Sequence, residues 1–258
     1  MRWNPREPLD PRGLGGFDAI VHLAGKNISG RWTNQFKREV RASRVQGTRT
    51  LATAAAESFR QTGSPRVLVA ASAVGYYGNR GDEVLTESSP RGSGFLAGVC
   101  QEWEDAAAPA LEAGIRVVHV RIGVVLAKNG GALQAMLTPF RLGLGGPVGS
   151  GRQFWSWVAL EDVVSIFMFA LNNDGLSGPV NAAAPNPSRN ADLTRELGKT
   201  LYRPAFFPLP ALVVRTVFGE MGESLLLASA RVIPAKLEAV GFRFQYPDLP
   251  GALRAALS

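Results

Sequence analysis

The 258-residue sequence is poor in the residue types that staple or metallate a fold: it has one cysteine, two histidines and four tyrosines. A lone Cys100 cannot close an internal disulfide, which excludes a disulfide scaffold and fits a reducing, cytoplasmic setting. His22 and His119 lie far apart, so no metal-ligand cluster is expected. No apolar run reaches the length of a membrane span, and the start Met1-Arg2-Trp3-Asn4-Pro5 is unlike a signal peptide. Charged residues make up only 19% of the chain and apolar residues 46%. That balance excludes a disordered chain and allows a sizeable core.

What charge there is has one dominant sign. The formal net charge is +7, and residues 1–50 hold ten Lys/Arg against four Asp/Glu. This basic stretch reads either as a solvated face or as a field that draws in a phosphate-bearing ligand. No nucleic-acid-binding signature accompanies it, so a small molecule rather than nucleic acid is the expected partner.

Apolar runs and helical stretches alternate along the first half. Residues 17–25 read as a short buried strand, 34–59 as a helix, 67–71 as a strand, 79–94 as a loop, 95–113 as a helix that Pro109 distorts, and 115–122 as a β-branched strand. Continuous apolar runs without alternation point to parallel strands covered on both faces. A Rossmann-like α/β sheet is therefore expected over residues 1–130. A smaller, mainly helical lobe is expected over 131–258, returning one or two strands to the sheet. Further helices are expected at 160–172, 190–201, 210–219, 224–230 and near the C-terminus, with a short strand at 180–182. The glycines between 143 and 151 follow no strand and open no helix, so they are not a dinucleotide fingerprint.

Ser72 ends the second strand and leads into Ala73-Val74-Gly75-Tyr76-Tyr77-Gly78. Hydroxyls at the C-terminal end of a parallel strand lie where α/β folds bind ligands. Ser72, Tyr76 and Tyr77 are the candidate catalytic residues: Ser72 to orient a substrate oxygen, a tyrosine to give or take a proton. The same segment also reads as a turn with a half-buried tyrosine pair.

Several segments together resemble the extended short-chain dehydrogenase/reductase superfamily, and within it an epimerase-like NADP-binding family with a C-terminal domain of unknown role. They include Asp18 to Gly25, Ser43-Arg44, Ser72 to Gly78, Arg121 to Leu126, Pro139 to Gly146, Gly149 to Gln153, Trp157, Gly219-Glu220, Val232-Ile233-Pro234 and Gly241-Phe242. The resemblance implies NADP(H)-linked redox or epimerase-type chemistry on an unidentified small molecule. It places Leu23, Ala24, Glu39, Arg44 and Val125 along the cofactor, with Arg44 facing a phosphate.

Two departures accompany the resemblance. Trp3-Asn4-Pro5 resembles a segment that follows the family's first βαβ unit, so an N-terminally truncated sheet is expected, with cofactor binding weak or absent. The superfamily's Tyr and the Lys four residues later are also missing from Phe95 to Glu104. A non-catalytic protein, binding or regulatory, is the alternative this absence favours.

Overall fold

The computed structural model describes Asn4 and residues 7–258; of the Trp3-Asn4-Pro5 segment, Trp3 and Pro5 lie outside the described residues. In chain order the elements are β1 (Ala19–His22), α1 (Asn34–Thr62), β2 (Val67–Ala73), β3 (Val84–Leu85), α2 (Phe95–Asp105), α3 (Ala108–Glu112), β4 (Arg116–Ile122) and β5 (Val124–Leu126). There follow α4 (Gly131–Arg141), β6 (Phe154–Trp155), β7 (Trp157–Ala159), α5 (Leu160–Asn172), β8 (Gly178–Ala182), β9 (Ser188–Arg189) and α6 (Asn190–Thr200). Last come α7 (Ala211–Gly222), β10 (Arg231–Val232), α8 (Ala235–Ala239) and α9 (Leu249–Leu257).

The main sheet has the order β1-β2-β4-β8 and every pairing is parallel. The apolar runs explain this: every residue from Val67 to Ser72 is buried, because helices cover both faces of the strand. On one face, Leu51, Ala52 and Ala55 of α1 pack with Leu68, Ile115 and Val117. On the other, Ile166, Phe167 and Ala170 of α5 pack with Val69, Val118, Val120 and Val180. The Thr33 hydroxyl caps α1 by accepting from the Phe36 N–H, and Gly63 ends it in the left-handed region at φ 74°.

β8 belongs to the later half of the chain and pairs with β4 at the end of this sheet. The lobe has its own core, in which Trp155 and Trp157 pack with Leu133, Leu193, Leu197 and Leu253.

The elements differ from expectation where local signals are short or mixed. The helix expected over 95–113 is two helices, α2 and α3, with Pro109 near the start of the second. A proline is tolerated in a first turn, where its missing N–H has no partner to lose. The helix expected at 224–230 is a single π-type turn, Glu223–Leu227, that gives way to β10.

His119 sits inside β4, and burial lowers its pKa. The unfolded chain therefore binds a proton near pH 6.5 that the folded chain refuses. Stability contributed by the neutral ring is complete well above that pH and is lost as pH falls through it. Thermal melts between pH 7 and pH 5 should show a falling Tm, with a shallower fall in His119→Val. An equal slope in the variant would assign the pH dependence elsewhere.

Candidate functional site

A closed polar network lies at the C-terminal ends of β2, β4 and β8. Arg121 points from β4 toward α2 and meets Glu104 in a two-pronged pair: Nε to Oε1 at 2.8 Å and Nη2 to Oε2 at 2.8 Å. The Ser72 hydroxyl donates to the same Oε1 at 2.7 Å. Arg121 Nη1 donates to the Tyr77 hydroxyl at 3.0 Å, and Tyr77 donates to Asn181 Oδ1 at 2.7 Å. Asn181 in turn donates through Nδ2 to the Ile233 carbonyl, and its backbone N–H donates to buried Glu87. The side chains of Arg121 and Glu104 are only 3% and 9% exposed.

Burial alone would depress the Arg121 pKa, but the hydrogen bonds and charge of Glu104 outweigh it and raise the pKa instead. Tyr77 is fully buried, and burial pushes its phenol above the ordinary tyrosine value despite Arg121. It holds its proton at neutral pH and spends its hydroxyl on Arg121 and Asn181, so it braces the network and presents nothing outward.

Tyr76 is placed differently. It is half-buried, and Arg121 lies over its ring at 3.5 Å from the centroid. The Tyr77 ring meets it edge-on at 5.3 Å. Among the described residues no side chain or backbone group hydrogen-bonds its hydroxyl. The structure thus brings Ser72, Tyr76 and Tyr77 together, but only Tyr76 has an uncommitted polar end.

The expected cofactor residues do not form one surface. Ala24 and Glu39 line a hollow of about 310 Å³ together with Gly25, Lys26, Ser43 and Gln46. Lys26 and Glu39 form an ion pair across it at 2.9 Å. Leu23, at the end of β1, is 63% exposed. Arg44 turns inward: it donates to the Lys26 carbonyl at 2.9 Å and stacks on Trp103 at 5.0 Å, and burial lowers its pKa. It braces the turn after β1. Val125 lies in β5, paired with Val158 of β7, and packs against the main core.

Glu104, Arg121 and Asn181 were not singled out as site residues from the sequence. The signal was present in the strands: an arginine or asparagine among β-branched residues must find partners when buried. Cys100 is buried on α2, and burial, aided by the Glu104 charge, pushes its thiol up to about 12. It is therefore inert as a nucleophile. Among the described residues, no group of three His, Cys, Asp or Glu could hold a metal ion. None of the described helices is long and apolar enough to cross a membrane.

A separate contact ties α1 to α7. Gly219 breaks α7 with φ 56° and ψ −138°. The next residue, Glu220, accepts from Lys37 Nζ of α1 at 2.9 and 2.8 Å. Lys37 also lies over the Phe95 ring, which stacks edge-on against Trp32.

Residues 13–183 match the NAD dependent epimerase/dehydratase family, and residues 209–256 match a domain of unknown function, DUF1731. The chain belongs to the NAD-dependent epimerase/dehydratase family. Within the family it is similar to the epimerase family protein Mb2239 of Mycobacterium bovis, with 44% identity over 255 residues, covering 98% of this chain and 83% of the relative. It is 40% identical to the human epimerase family protein SDR39U1 over 252 residues, covering 96% of this chain and 85% of that protein. A crystal structure of human SDR39U1 (isoform 2) with NADPH superposes with a TM-score of 0.87 at 39% identity, covering 93% of this chain and 81% of the other. The parallel sheet and its flanking helices are thus the family's Rossmann-like fold.

Proposed function

We propose that this chain binds NADP(H) at the C-terminal ends of β1 and β2 and moves a proton at the Tyr76 hydroxyl, in oxidoreductase or epimerase-type chemistry on a small molecule. The observation that carries this reading is the contrast within the polar network. Ser72, Tyr77 and Asn181 are committed to internal partners. Tyr76 is oriented by Arg121 and Tyr77, yet keeps its hydroxyl free.

The residues present fit the cofactor in part. The hollow beside Ala24, Lys26 and Ser43 can take one segment of a dinucleotide, and Lys26 offers a cation there. The described residues hold no Gly-x-Gly-x-x-Gly turn between a strand and a helix, the device that cradles a diphosphate. When bound, the nicotinamide supplies or accepts a hydride. Tyr76 gives or takes the matching proton at the substrate oxygen. Ser72 acts as a positioning residue: its own proton lies on Glu104, so it can accept a hydrogen bond from a substrate hydroxyl but not donate one to a carbonyl.

A fluorescence titration of the 258-residue chain with NADPH at about 0.15 M salt tests the binding half. Each charge-assisted hydrogen bond contributes about 1.5–3 kcal/mol. Lacking two or three of them corresponds to a loss of about two to six powers of ten. Saturable binding is expected, in the high-micromolar to millimolar range. Failure to saturate at several times about 1 mM would overturn it.

One observation favours a second reading, a non-catalytic binding protein: α2 carries neither the tyrosine nor the lysine that the superfamily uses for proton transfer. Under that reading neither the parent chain nor Tyr76→Phe turns over any carbonyl compound.

A further inference from the structure

We propose that the hollow at the C-terminal end of α6 is a binding site for an aromatic anion of the mononucleotide type, separate from the polar network at Ser72 and Tyr76. The hollow measures about 590 Å³ and is lined by Arg195, Lys199, Tyr202, Arg203 and Phe206, with Gly198 in its floor.

The first argument is backbone strain. Helix α6 closes with the Tyr202 N–H on the Lys199 carbonyl at 3.0 Å and the Arg203 N–H on the Gly198 carbonyl at 2.9 Å. This is the Schellman arrangement, and its left-handed position belongs by preference to glycine. Here it is Tyr202, at φ 55°, the only non-glycine residue with positive φ among the described residues. A side chain at such a position costs steric strain. Packing does not offset it, because Tyr202 is 89% exposed. Strain held without a packing return points to use of the side chain.

The second argument is charge beside aromatic faces. Arg203 is fixed by carbonyls, donating through Nε to Arg141 and through Nη1 to Tyr202, both at 3.1 Å. No carboxylate neutralises it among the described residues. Arg195 and Lys199, themselves 63% and 65% exposed, pair only with exposed Asp192 and half-buried Glu196 on their own helix. Such exposed pairs are weak and yield to a phosphate. A Cβ at Gly198 would lie 2.6 Å from the Ala205 Cβ and 2.9 Å from the Arg203 carbonyl oxygen. Glycine there lets residues 203–205 close onto the helix and form the floor. A base stacks on the exposed Tyr202 or Phe206 ring while its phosphate meets Arg203 and Lys199.

The test uses AMP as probe and the full chain labelled at its four tyrosines for NMR. AMP should shift the Tyr202 ring resonances saturably. Adenosine and inorganic phosphate should each bind at least about tenfold more weakly, the loss expected when one charge-assisted contact or the stacking is removed. Arg203→Ala should weaken AMP by a similar factor. Tyr202→Gly gives a paired readout with opposite signs. Its Tm should rise by about 2–4 °C as the strain is relieved, while AMP binding falls at least about tenfold. Unshifted Tyr202 resonances, undiminished AMP binding in Tyr202→Gly, or a Tm that falls in that variant would each overturn the proposal.

Discussion

Replacing Glu104 with leucine should destabilise the protein by about 3–5 kcal/mol, the usual cost of stripping one partner from a buried ion pair. Glu104 is the sole carboxylate on the Arg121 guanidinium among the described residues, and it accepts three hydrogen bonds, one of them from Ser72. Without it Arg121 keeps only the Tyr77 hydroxyl and two ring faces. At about 2–4 °C per kcal/mol for a domain of this size, Tm should drop by about 6–20 °C. Pairing the change with Arg121→Met removes the orphaned charge and should recover most of the loss, since apolar replacement of a whole buried pair is close to neutral. A thermal melt of both variants decides it. A shift below about 2 °C in Glu104→Leu would mean that water or a neighbour rescues Arg121.

Tyr76→Phe should cut turnover by about 10²–10⁴, the usual contribution of a positioned proton donor, and leave Tm almost unchanged. The change deletes one hydroxyl that bonds nothing among the described residues and keeps the ring on Arg121. Assays follow consumption of NADPH at millimolar concentration across a panel of carbonyl compounds, comparing the variant with the parent chain on any compound that turns over. NADPH binding should be equal in the two. Equal turnover would remove Tyr76 from the chemistry. A parallel loss of NADPH binding would make it a cofactor contact instead. Tyr77→Phe is expected to act the other way: it strips a hydroxyl bonded to both Arg121 and Asn181, so its effect is on stability first.

The sheet was legible because burial on both faces leaves a strand with no polar alternation to confuse. Val67 to Ala71 and Ile115 to Ile122 announce themselves on that ground, and both are central strands. The two- and three-residue strands β3, β5, β6, β7, β9 and β10 are too short to carry a period, and tertiary contacts alone define them. Helix α4 went unread because it opens on Gly131 and contains Pro139, two residues that argue against a helix locally.

The candidate site was half legible. Strand ends pointed to Ser72 and the tyrosines, because position in a parallel sheet is encoded locally. Which tyrosine is buried, and which carboxylate reaches Arg121, depends on contacts between residues 17 to 104 apart, which no window of sequence contains. Arg44 shows the same limit. Its place on α1 suits a phosphate contact, and in the structure it also meets a carbonyl of the loop at 24–26 and the Trp103 ring, partners that no local stretch of sequence reveals.

The bridge between Lys37 and Glu220 ties α1 to α7 across the fold. Both side chains are partly exposed, at 25% and 46%, so parting them costs about 0.2–1 kcal/mol. That penalty leaves a parted state populated in roughly one molecule in two to six at equilibrium. The tie between α1 and α7 is therefore one that parts and re-forms freely. Glu220 follows directly on Gly219, where α7 leaves helical geometry, so the tie hangs on a single backbone bend. Raising ionic strength should therefore loosen this tie and leave the resting fold intact.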